Sequence, residues 1–161
     1  MTDFKALLRA LADAKVDFIV VGGTAATAHG SSRLTQDIDV VYERSPGNIQ
    51  ALVKALAPHR PYLRGAPPGL PFSWDARTIE HGLNFTLTTA LGDIDLLGEI
   101  TGGGGFEQLR PHTEKVGLFG RDVLCLNLEW LIRTKRAAGR PRDLEAVAEL
   151  EALSEERGRT D

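Results

Sequence analysis

The apolar positions of this chain change period several times, and each change marks an element. Leu7, Leu8 and Leu11 fall on one face of a helical wheel, which predicts an amphipathic helix over Asp3 to Lys15. Phe18 to Val21 is an unbroken β-branched and aromatic run, suited to a strand buried on both faces. Gly22-Gly23 ends it, Thr24 to His29 reads as a short helix, and Gly30 stops that helix. Ile38 to Tyr42 forms a second strand. Pro46 then opens a helix running to Leu56, with Ile49, Leu52, Val53 and Leu56 on one stripe.

Residues 58–71 hold five of the eight prolines. That density predicts a long loop without regular structure, serving either as a lid or as a plain surface crossing. Leu83 to Thr89 alternates as a strand, with Ile94 to Leu97 as its neighbour. Gly102 to Gly105 reads as a flexible joint; it lacks the Lys-Ser/Thr ending of a phosphate-binding P-loop. Val116 to Leu118 and Val123 to Leu126 flank Gly120 as a hairpin. Two helices close the chain, about Leu128 to Ala138 and Pro141 to Leu153. Strands that first alternate with helices and later pair locally predict an α/β (α+β) fold, a mixed β-sheet flanked by helices. One domain is expected over residues 1–161, with a core at about 16–126 and a helical part at about 127–155.

Composition narrows the class. The chain has 161 residues, 42% of them hydrophobic, with 19 basic against 22 acidic side chains, so its net charge is −3. That excludes a strongly basic nucleic-acid coat and a highly charged disordered chain. The single Cys125 excludes an intrachain disulfide and fits a reducing compartment. With no leader pattern and no long apolar run, a soluble cytoplasmic protein that does not enter a membrane is expected.

The acids are not scattered. Asp37-Ile38-Asp39 places two carboxylates on one face of a strand, since side chains two apart project together. Such neighbours repel and raise one another's pKa unless a cation lies between them. All-oxygen ligands suit a hard ion such as Mg2+. The alternative is an exposed strand edge, which the scarcity of Asp in strands weighs against. Asp93-Ile94-Asp95 repeats the triplet, and either acid, Asp95 preferred as lying further into the strand, could complete a three-carboxylate site. Gly22-Gly23 before a helix is a candidate phosphate cradle, because unpaired N–H groups and a partial positive charge gather there; glycine is also common at such turns for steric reasons alone. Lys135 falls on the apolar stripe of Leu128, Leu131 and Ile132, placed either to snorkel or to reach negative charge in the site. Asp143 follows the same logic on the last helix, or is an acid at a helix start. Residues 133–142 carry five positive charges and no acid, an anion-facing patch or a solvated corner. His29 and His81 stand alone and are expected to cap or meet solvent; Cys125 is expected to be inert core.

Taken together, Val20-Val21-Gly22-Gly23, Thr35-Gln36-Asp37-Ile38-Asp39-Val40 and a later strand acid resemble the nucleotidyltransferase superfamily that includes DNA polymerase β. Leu128 to Lys135, followed by Arg142-Asp143-Leu144, resembles the third and fourth motifs of the AbiEii-type nucleotidyltransferase toxins. The resemblance implies the nucleotidyltransferase fold and transfer of a nucleoside monophosphate from an NTP to an acceptor hydroxyl on RNA (a tRNA end, for instance), protein or a small molecule. It implies Mg2+ or Mn2+ on Asp37, Asp39 and Asp95, triphosphate on Gly22, Gly23 and Thr24, and nucleotide phosphate on Lys135. Asp143 would be a site acid or would orient Lys135; Arg33 and Thr35 would touch substrate. It also implies a toxin of a toxin–antitoxin or phage-defence pair, with a cognate antitoxin as partner. Two departures stand out. Position 23 is Gly where many members have Ser, which removes a hydroxyl contact, and the chain is shorter than typical AbiEii-type toxins. A catalytically inactive nucleotide- or partner-binding module on the same fold is the alternative, and a plain interaction domain with exposed Asp triplets is a third possibility.

Overall fold

In a computed structural model of the chain, residues 2–31, 35 and 37–160 are described. The first helix, α1 (Phe4–Asp13), starts where Asp3 accepts a hydrogen bond from the Ala6 N–H at 3.0 Å. Its buried face is Leu7, Leu8 and Leu11, and Lys15 turns the chain with φ +58°. β1 (Phe18–Val21) is buried throughout. It passes directly into α2 (Gly22–Ala28), β2 (Asp37–Tyr42) and α3 (Pro46–Leu56), the last capped by Ser45.

The proline-rich segment departs from expectation. It contains a 3₁₀ turn (Ala57–His59) and a two-residue strand, β3 (Tyr62–Leu63), which pairs antiparallel with a later strand, β4 (Phe85–Thr89). Prolines 58, 61, 67 and 68 all fall outside β3, so none removes an N–H from the ladder. The rest of the segment is tied down. Tyr62 donates its hydroxyl to Pro67 O at 2.6 Å, Phe72 packs edge-on against Tyr62, and Trp74 donates to Val53 O at 2.9 Å.

The chain continues through α4 (Ala76–His81) into β4 and β5 (Gly92–Leu97). A small separate sheet follows, β6 (Glu99–Ile100) with β7 (Gly104–Gly105), so part of the expected glycine joint is ordered strand. A short helix, α5 (Phe106–Leu109), precedes the hairpin of β8 (Thr113–Leu118) and β9 (Arg121–Leu126). Phe119 and Gly120, both at positive φ, make its two-residue turn. α6 (Leu128–Ala138) is capped by Asn127 and ended by Gly139 at φ +69°; α7 (Pro141–Thr160) closes the chain. The helix α4, the helix α5 and the strand β3 were not legible from the pattern; each is six residues or shorter and packs only a few apolar side chains.

The main sheet has seven strands in the order β3-β4-β5-β2-β1-β9-β8. It is mixed: β2–β5 and β1–β9 are parallel, and the remaining pairs are antiparallel. α1 packs with α3, and α3 with α4; α2 lies on β1 and β2 and against α6, which packs on α7. Ile38, Val40, Ile94 and Leu96 are fully buried, so the strand that presents the acids on one face anchors itself in the core with the other. Cys125 is core as expected, and burial pushes its thiol up to about 12. His29 is buried rather than solvated, its Nε2–H donating to Leu126 O at 2.8 Å. His81 Nδ1 lies 2.8 Å from Arg77 O, one helical turn back. Among the described residues no helix is long and apolar enough to cross a membrane.

Candidate active site

Register assembles the site. β2 and β5 run parallel with Asp37 opposite Asp93 and Asp39 opposite Asp95, while antiparallel β1 sets Val21 opposite Asp39. Two Asp-x-Asp triplets in register on neighbouring strands put four carboxylates on one face. The last residue of β1, and hence the start of α2, sits beside them. Asp37, Asp39 and Asp95 each offer an oxygen within 4.8 Å of the other two. Asp93 lies outside that group.

The electrostatics are those of acids lacking a sufficient counter-charge. Burial pushes Asp39 up to about 8, reinforced by its close contact with Asp95 and the charges of Asp37 and Asp95, and opposed by Lys135. Burial and Asp95 also raise Asp37, against the pull of Arg64. A buried oxygen of Asp95, Oδ1, accepts no aligned hydrogen bond. Three converging carboxylates, one of whose oxygens accepts no aligned hydrogen bond, and oxygen-only donors fit a hard divalent ion such as Mg2+ or Mn2+. Asp37, Asp39 and Asp95 would hold it.

Gly22 is required by this geometry. Its φ is +63°, and a Cβ there would lie 2.1 Å from Asp39 Oδ2. Gly23 is crowded from the other side, where a Cβ would meet Thr35 Oγ1 at 2.9 Å. Both glycines line an open cavity of about 1000 Å3 that also contains the acids. Thr35 lines it too, donating its hydroxyl to Asp37 O at 3.0 Å. Thr24 does not: it is buried and its hydroxyl faces Asp37 O at 3.4 Å, tying α2 to β2. The Thr24 hydroxyl thus makes a local hydrogen bond within the fold. Arg33 lies outside the described residues.

The closing helices complete the wall. Lys135 projects into the cavity with Nζ 3.7 Å from Asp143 Oδ1. Asp143 is 2% exposed and is gripped by Arg140, whose Nε donates to Oδ2 at 2.6 Å and Nη2 to Oδ1 at 3.2 Å. Burial alone would raise the Asp143 carboxyl, but the Arg140 fork and Lys135 outweigh it and hold it below the usual range. The five-charge basic stretch divides: Lys135, Arg140 and Arg142 face the cavity, whereas Arg133 stacks on Trp130 and Arg136 pairs with Glu151. Replacing Asp143 by Asn is expected to cost about 1–3 kcal/mol of stability, because two cations lose a nearly buried partner. Thermal unfolding of the variant checks this.

Arg64 is the residue that the sequence pattern did not reveal. It follows β3, and its guanidinium reaches across β4 to Asp95 Oδ1 (3.0 Å), Asp93 Oδ2 (3.4 Å) and Asp37 Oδ2 (3.5 Å). An arginine inside a proline-rich stretch carries no local mark of such a role; only the pairing of β3 with β4 brings it there.

No protein-family model and no curated protein matches the chain. Solved structures do. The lincosamide antibiotic adenylyltransferase LnuA, bound to lincomycin, superposes with a TM-score of 0.61 at 16% identity, over 94% of this chain and 98% of that one. An antigenic nucleotidyltransferase-like protein from Paracoccidioides brasiliensis gives 0.54 at 15% identity, over 92% and 73%. ANT(2'')-Ia in complex with adenylyl-2''-tobramycin gives 0.50 at 17% identity, over 97% and 95%. The fold is that of the nucleotidyltransferases.

Proposed function

We propose that this chain is a divalent-metal-dependent nucleotidyltransferase that moves a nucleoside monophosphate from an NTP to an acceptor hydroxyl. The observation that carries it is the convergence of Asp37, Asp39 and Asp95 beside the Gly22-Gly23 start of α2, in one cavity with Lys135. In the reaction the acceptor oxygen bonds to the α-phosphorus, the bond from that phosphorus to the bridging oxygen breaks, and pyrophosphate leaves with the bond's electrons. The hydroxyl proton passes to a carboxylate of the cluster. Bound metal supplies charge neutralisation and lowers the pKa of the attacking hydroxyl. The chain's own part is positional. Asp37, Asp39 and Asp95 collect positive charge at one point. Gly22 and Gly23 let phosphate approach the backbone of α2. Lys135, steadied by Asp143 and Arg140, meets the triphosphate's charge.

The acceptor is proposed to be a small hydroxylated molecule. LnuA and ANT(2'')-Ia have antibiotics in their solved structures and match this chain along nearly their full length. A toxin role, with a tRNA end or a protein as acceptor and an antitoxin as partner, rests on the Leu128–Lys135 and Arg142–Leu144 motifs and is the second reading. One experiment addresses both: the protein with each α-labelled NTP, Mg2+ or Mn2+, and separately total tRNA, lysate protein and a panel of aminoglycosides and lincosamides. Label transfer by wild type and not by Asp39→Ala establishes the activity and names the acceptor class. No transfer, with no metal-dependent NTP binding by calorimetry, overturns the enzyme reading and leaves a partner-binding module on the same fold.

The two carboxylates of β5 are expected to separate in the same assay. Asp95→Asn should lower transfer by about 10²-fold or more, since it takes a ligand from the cluster. Asp93→Asn should lower it by less than about tenfold, because that acid contacts Arg64 rather than the three-oxygen group. The reverse ranking would make Asp93 the third ligand.

A further inference from the structure

Arg64 is held in an unusual way. A guanidinium that serves architecture donates a fork of aligned hydrogen bonds, as Arg140 does to Asp143. Arg64 has three carboxylates within 3.5 Å, yet among the described residues its one aligned side-chain hydrogen bond goes to a backbone carbonyl, Nη2 to Leu87 O at 2.8 Å. Its Nε is buried with no aligned acceptor, and the Asp95 oxygen nearest to it has no aligned donor. Toward the acids the side chain is held by charge rather than by aligned hydrogen bonds, and its one aligned bond goes to the Leu87 carbonyl. Two of the three acids it neutralises, Asp37 and Asp95, belong to the proposed ligand set.

The backbone at this point is fixed independently of the side chain. Arg64 N–H donates to Thr86 O at 3.0 Å, extending the β3–β4 ladder by one bond. The next residue, Gly65, has open space where a side chain would stand. Arg64 itself lines the open cavity that holds the acids, so its guanidinium has room to leave them while the strand stays in place.

We propose that Arg64 is the built-in counter-ion of the acid cluster, occupying it while no metal is bound and displaced when a divalent ion loads. This rests on the metal-site reading of Asp37, Asp39 and Asp95. The physical ground is competition: a divalent cation and a guanidinium seek the same carboxylates, and two positive charges at ion-pair range repel. The arrangement offsets the repulsion among Asp37, Asp93 and Asp95 before metal arrives. Because coupling is reciprocal, whatever the guanidinium gains from the acids is subtracted from metal affinity.

Mn2+ binding to the full chain, followed by electron paramagnetic resonance and calorimetry without nucleotide, tests this. Arg64→Gln should bind Mn2+ about tenfold more tightly than wild type, and Arg64→Lys should stay near wild type. Equal or weaker binding by Arg64→Gln, where wild type binds, would show that Arg64 steadies the ligands, and the counter-ion proposal fails while the metal site stands. Absence of Mn2+ binding by both wild type and Arg64→Gln overturns the metal site and the proposal with it. A measurement on wild type covers the case in which Arg64→Gln does not fold. The Nε–H resonance of Arg64 should shift and lose its exchange protection on titration with diamagnetic Mg2+; an unmoved, protected resonance at saturating Mg2+ overturns the proposal.

Discussion

Asp39→Asn is expected to lower nucleotidyl transfer by about 10²–10³-fold and, in the same protein, to raise the melting temperature of the metal-free form at pH 8. Both effects have one origin. Asp39 sits in a partly buried cluster that pushes its carboxyl up to about 8. In the folded chain it resists ionisation until the pH approaches that value, whereas in the unfolded chain it ionises near 3.8. Its contribution to stability is therefore intact below about pH 4 and is lost as the pH rises toward 8, at no more than about 1.4 kcal/mol per pH unit. An amide cannot ionise and escapes this loss. The difference in stability between Asp39→Asn and wild type, measured in a chelator, should be small at pH 4 and grow to a plateau above pH 8. Asp143, held below the usual carboxylate range, works in the opposite sense, its stabilisation fading in acid. It is common to both proteins and cancels in the difference. Saturating Mn2+ should stabilise wild type and leave Asp39→Asn nearly unchanged, by the mass-action relation between ligand and folded state. A variant less stable than wild type at pH 8 in chelator would show that the Asp39 carboxylate is already satisfied within the protein.

The second large effect is expected at a residue with no reactive atom. Gly22→Ala adds one methyl group, and at φ +63° that methyl would stand 2.1 Å from Asp39 Oδ2 and 3.0 Å from Asp39 Cβ. The left-handed conformation costs an alanine about 1–2 kcal/mol. Relief requires the Asp39 carboxylate to rotate out of its present position and, because Asp39 Cβ is also crowded, the backbone to shift. Stability should fall by no more than roughly 2–3 kcal/mol, leaving a folded protein by circular dichroism. Mn2+ affinity and transfer should each fall by about 10²-fold, because the ligand set no longer converges. Retained Mn2+ affinity in folded Gly22→Ala would mean that Asp39 is not a ligand. Gly23→Ser meets a comparable test from Thr35, since the serine common in related motifs would need Thr35 to move from 2.9 Å.

Much of this site was legible before any coordinates. The Asp-x-Asp spacing specified which side chains share a face, because strand periodicity is strictly two and Ile38 and Ile94 are apolar enough to claim the core side. The Gly22-Gly23 break at the end of an all-apolar run specified where a helix could start. The stripe of Leu128, Leu131 and Ile132 placed Lys135 on the inward face of α6, and it does enter the cavity. These are local rules, in which each residue's direction follows from its own segment.

What the segment rules could not supply is anything that depends on two distant strands meeting. Whether Asp93 or Asp95 stands beside Asp39 is a matter of β2–β5 register, fixed by pairings along both strands and not by either triplet. Thr24 reads as a residue of the helix start alone, and only the packing of α2 on β2 sets its hydroxyl against the Asp37 carbonyl. The basic stretch at 133–142 reads as one patch, yet helical rotation sends Arg133 and Arg136 away from the cavity. Arg64 is the extreme case. The chain by itself determined the carboxylates, the glycines and the lysine, because strand and helix periods aim side chains over a few residues. Only the tertiary structure decided that Arg64 faces the acids, because a two-residue strand has too few contacts to announce itself and acquires its place by pairing with β4.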